Sequence, residues 1–161
     1  MTILTVNLLF NTLIFWIAAR IYLFPRLAEV SPQIVLVPIL LLHATRHLGL
    51  MFLSSGAVYP GMPTSFAFPA AIGDLLAAVL ALVCLLALTK RWAITVVLLW
   101  VFSIEGFVDL MTAIALSTIY QADRFMGPAY WIPAFWVPML LVTHVIVFIL
   151  LWRFYCATWI A

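Results

Sequence analysis

A chain of 161 residues that is 68% hydrophobic and only 7% charged does not describe a water-soluble domain. Its formal charge of +2 comes from basic residues scattered at the ends of apolar runs, a distribution that excludes a nucleic-acid-binding surface. The partner such a composition demands is a lipid bilayer.

Five apolar runs, at about residues 3–24, 33–54, 67–89, 92–119 and 129–154, each supply the roughly 20 helical residues needed to cross about 30 Å of hydrocarbon. The short in/out alternation of a strand barrel is missing. The expected fold is therefore all-α, a single transmembrane domain of five helices.

The first run lacks a basic leader and a small-residue cleavage pattern, and its charges, Arg20 and Arg26, follow it; it reads as a retained anchor. Arg20, Arg26, Lys90, Arg91 and Arg153 fall on one side of the bundle, while the other side carries only Asp123 and Arg124. Cytoplasmic loops retain positive charge, so the amino terminus is expected outside and the carboxyl terminus in the cytoplasm, in the cell inner (plasma) membrane.

The second run contains LLHATRHLGL, which at α-helical spacing puts His43, Arg46 and His47 on one face. The loop after it, SSGAVYPGMPTSFAFP, has no charge and three aromatic residues, and is expected to cap the bundle. In the third run Ala70, Asp74, Ala77 and Ala81 form a strip of small residues that turns Asp74 inward, because small side chains let neighbouring helices approach closely. The fourth run places Glu105 and Asp109 four residues apart, with Thr112 continuing the stripe.

The fifth run opens with GPAYWIPAFWVP, whose Tyr130, Trp131 and Trp136 suit the headgroup region. Pro133 and Pro138 each remove a backbone donor, so a bend is expected there, with a side chain or water filling the gap. His144 lies deeper in the same run. Cys84 and Cys156 lack a CxxC spacing and fall at the reducing side, where they read as packing residues.

Seven titratable side chains thus sit inside spans: His43, Arg46, His47, Asp74, Glu105, Asp109 and His144. Each costs several kcal/mol in hydrocarbon unless it has a partner or a task. Counted at 1.5 Å per residue, Asp74 and His47 fall about 9–11 Å from the outer boundary, Asp109 and His43 about 15–17 Å, and Glu105 and His144 near 21 Å. Three acids against one arginine leave a formal charge of −2, which calls for protons or a bound cation.

Four readings follow. His43, His47, His144, Asp74, Glu105 and Asp109 are chemically apt ligands for a divalent metal, zinc, iron or manganese, in the manner of helix-bundle metal sites but without their ExxH spacing. With Glu105 or Asp109 as catalytic base, and Ser103 assisting, that site would be a metal-dependent intramembrane hydrolase. Alternatively His43 and His144 hold a noncovalent haem b for electron transfer, with Arg46 at its propionates. In the remaining readings the charges line a proton or ion pathway, or form a polar clasp in a scaffold or accessory subunit of a homo-oligomer or larger membrane complex.

Overall fold

A computed structural model describes residues 2–27 and 29–153. Thr2 caps α1 (Ile3–Ala18) by accepting the Thr5 N–H at 3.2 Å. The helix then widens to a π turn at Ala19–Leu23 and tightens to a 3-10 turn at Phe24–Arg26, where Pro25 ends it. α2 (Pro32–Ala44) starts with proline at its first turn, where no donor is lost, and continues as a 3-10 stretch, Thr45–Leu53. α3 (Thr64–Thr89) and α4 (Thr95–Ile119) are long α-helices, and α5 (Val137–Leu151) follows a π stretch at Ile132–Trp136.

With their flanking turns these make five helices long and apolar enough to cross a membrane: Ile3–Arg26, Pro32–Leu53, Thr64–Thr89, Thr95–Ile119 and Gly127–Leu151. No strand occurs among the described residues. The helices match the five apolar runs of the sequence closely, although residue 154 of the last run and Cys156 lie outside the described residues.

The fifth helix is the centre of the bundle, with 61% of its apolar window buried, and α1 is peripheral at 11%. α1 touches α5 and the π stretch before it, whereas α3 packs against α4, α2 and the 3-10 stretch. Apolar side chains such as Ile14, Leu82, Val97 and Val108 are exposed on the outer faces of the helices.

Among the described residues one side-chain hydrogen bond pins α1 to another helix. Pro138 has no N–H to give the Ala134 carbonyl four residues before it, and the Asn11 amide donates to that oxygen at 2.7 Å. The expected gap-filling group is thus a side chain from another helix. Asn11→Leu should lower stability by about 1 kcal/mol, the scale of an interhelical hydrogen bond in a membrane bundle, read as an earlier thermal transition in detergent.

Besides a small apolar cluster of Leu110, Val137 and Leu140, two larger apolar cores lie one at each end of the bundle. Leu36, Leu40, Cys84, Leu99, Phe102 and Leu150 belong to the first, while Phe52, Phe66, Ala70, Met126 and Ile132 belong to the second. At the amino-terminal end, the expected cap is built by two backbone bonds: Tyr59 N–H donates to Phe125 O at 2.8 Å, and Ala129 N–H to Ala57 O at 2.9 Å. These tie the loop after α2 to the α4–α5 connection. The polar side chains of the spans occupy the layer between the cores.

Candidate functional site: an arginine-centred polar layer beneath a cavity

Buried positions in the second span recur every third residue: His43, Arg46, Gly49 and Phe52. That is the period of a 3-10 helix, in which residues three apart eclipse one another. His47, one residue beyond Arg46, is rotated by roughly a third of a turn and is exposed. Its Nδ1 reaches only the Ala44 carbonyl of its own helix, at 3.1 Å. α-Helical spacing had grouped His47 with His43 and Arg46; the tighter winding separates it.

The Arg46 side chain is fully buried and bonds to three helices. Its Nε donates to Asp74 Oδ1 on α3 at 2.7 Å, and Nη2 to Asp109 Oδ2 on α4 at 2.5 Å. Nη1 donates to the Gly106 carbonyl at 3.2 Å and faces His144 Nε2 on α5 at 3.5 Å. A planar fork of donors suits two carboxylates at once, which an ammonium would not.

Glycine makes room for this layer. A Cβ on Gly106 would stand 2.6 Å from His144 Nε2 and 2.8 Å from Arg46 Nη1. A Cβ on Gly73 would collide with the Asp109 carboxylate, and one on Gly49 with the Asp74 side chain from its Cβ outwards. The inward strip holds as well: Ala70, Asp74, Ala77 and Ala81 are all buried.

The histidines form the second half of the layer. Since Nη1 of Arg46 is a donor, His144 Nε2 accepts, and its Nδ1–H donates to Ser103 Oγ at 3.2 Å. The Thr143 hydroxyl donates to the carbonyl of Met139 or Leu140, so it accepts the Nε2–H of His43 at 2.9 Å. The two imidazoles pack ring against ring, 4.2 Å between centroids and tilted by 58°, with Phe102 against both. Rings in direct contact do not bracket a porphyrin, whose iron must lie between two imidazole nitrogens.

Glu105, one turn from Asp109, is half-buried and makes no ion pair with the described residues; its Oε2 is a buried atom without a protein partner there, as are His43 Nδ1 and Trp136 Nε1. Among the described residues no three His, Cys, Asp or Glu side chains form a group that could hold a metal ion. The physical reason is Arg46: its guanidinium occupies the position between Asp74, Asp109 and His144 where the spacing of the acids and imidazoles suggested a cation.

A cavity of about 370 Å³ rises from this layer to the amino-terminal end of the bundle. The Asp74 side chain, 12% exposed, stands in its lining, and its Oδ2 has no hydrogen-bond partner among the described residues. Leu4, Leu8, Phe52, Phe66, Leu110, Met126 and Ile132 supply apolar wall. Thr2, Thr5, Ser117, Thr118, Gln121, Asp123 and Arg124 supply the rest of the polar lining and come from the start of α1, the end of α4 and the connection after it. Its size lies at the lower end of the range for small-molecule sites, roughly 300–1,000 Å³.

The sequence reading missed the cavity, the three glycines and Asn11. Gly106 was legible in part, since it lies within the SIEGFVDLMT stripe of acids, but nothing local marks which residue a glycine faces.

Neither the curated proteins nor the solved structures include a match to this chain. A family model described as Domain of unknown function (DUF8737) matches residues 3–152, nearly the whole chain, and the protein belongs to that family.

Proposed function

We propose that the protein is a multi-pass membrane protein that receives a small ligand in the cavity above the Arg46 layer, and that this layer serves both as polar floor and as helix clasp. A single observation carries the reading: Asp74 holds Arg46 through one oxygen while its carboxylate stands in the cavity lining. Asp109, the other carboxylate on Arg46, does not line the cavity, and Arg46 itself is enclosed. Mostly apolar walls with a few polar and charged groups, here Asp74 at the floor and Asp123 and Arg124 at the amino-terminal end, are the usual constitution of a ligand site. Under the orientation expected from the basic residues, the mouth faces away from the cytoplasm.

Water access tests the proposal. In a background with Cys84 and Cys156 replaced by alanine, Ala113→Cys and Ser117→Cys line the cavity, whereas Val108→Cys, 57% exposed, lies on the outer face of α4. In lipid nanodiscs the two cavity positions should react with a charged, membrane-impermeant thiol reagent and Val108→Cys should not. Unreactive cavity positions, or equal labelling at Val108→Cys, would overturn it.

A further inference from the structure

The charges around the cavity do not balance. Arg46 is shared between Asp74 and Asp109, so one guanidinium faces two carboxylates. Farther up the lining, Asp123 and Arg124 offset each other formally. Counted formally, one negative charge is left at the floor, to be met by a proton or by a cation; Glu105, four residues before Asp109 on α4, has no ion pair among the described residues.

We infer that the ligand is a small organic cation, a protonated amine on an apolar body, whose ammonium group meets the free oxygen of Asp74. This rests on the cavity being a ligand site, as proposed above. An ammonium has donors for an oxygen that lacks one, and its charge completes the balance that Arg46 leaves short. The body suits the walls: Leu4, Leu8, Phe66 and Leu110 bury an aryl or alkyl chain and offer an inorganic cation no ligand atoms. An anionic head would face the surplus charge directly, and a hydroxyl would leave it uncompensated.

Three probes share one body and differ in the head: 4-phenylbutylamine, 4-phenylbutanol and 4-phenylbutyrate. Binding is measured by calorimetry on the full chain in phosphatidylcholine nanodiscs, with empty nanodiscs subtracted and Ala113→Trp as a cavity-filled control. The amine should bind saturably, about tenfold or more tighter than the alcohol, with the acid weakest, and Ala113→Trp should abolish binding. Asp74→Asn should remove the preference of amine over alcohol while keeping the binding of the alcohol. Should Asp74→Asn not fold, the ranking of the three heads on the unmodified protein decides alone. Alcohol or acid binding as tightly as the amine, and blocked by Ala113→Trp, would sink the cation inference and leave the ligand cavity standing. No saturable binding of any probe would count against both.

Discussion

Arg46→Met should be the most damaging single change in the protein, lowering stability by about 3–5 kcal/mol. The guanidinium bonds to Asp74, Asp109, the Gly106 carbonyl and His144, so its loss deserts two largely buried carboxylates at once and removes the group through which the 3-10 stretch after α2 holds α3, α4 and α5. Much of the penalty comes from the stranded charges rather than from the lost bonds. The triple variant Arg46→Met, Asp74→Asn, Asp109→Asn carries no charge in this part of the layer and should therefore be more stable than Arg46→Met alone. Arg46→Lys should fall between them, because one ammonium does not reproduce the planar fork. Thermal unfolding and the monodisperse fraction in detergent read all three. A triple variant no better than Arg46→Met would show that uncompensated charge is not the cause.

Gly49→Ala should be the next most damaging, at about 1–3 kcal/mol from overpacking. The added methyl would meet not only the carboxylate of Asp74 but its Cβ, which is anchored to the backbone of α3 and has no rotamer in which to retreat. The second span would have to move away from α3, taking Arg46 with it. Gly56→Ala is the control, since the nearest atom to its Cβ is the Ser54 hydroxyl at 4.0 Å. Equal melting temperatures for the two variants would refute the packing argument.

These two expectations rest on features of different legibility. That Arg46 must find an acid is plain from the chain, because an arginine within an apolar run is too costly to leave alone, and the other spans offer it only Asp74, Glu105 and Asp109. The pairing of His43 with Thr143 was likewise within reach, as hydroxyls are the ready partners of buried imidazoles. Gly49 was not. Its role depends on the second span winding as a 3-10 helix from Thr45 to Leu53, and no local signal announces nine residues of that form, which is long for its kind. The same winding turned His47 away from the histidine and acid layer.

Hydrophobicity and length, which act along the chain alone, determined the five spans, the small-residue strip of α3 and the presence of an expensive polar layer. How that layer is wired was decided only when the helices met. One guanidinium can satisfy two carboxylates, a carbonyl and an imidazole only at distances near 3 Å, and those distances are set by glycine contacts and helix pitch rather than by residue spacing. The cavity is tertiary for the same reason: its lining comes from all five spans and the α4–α5 connection, and no stretch of sequence encloses a volume by itself.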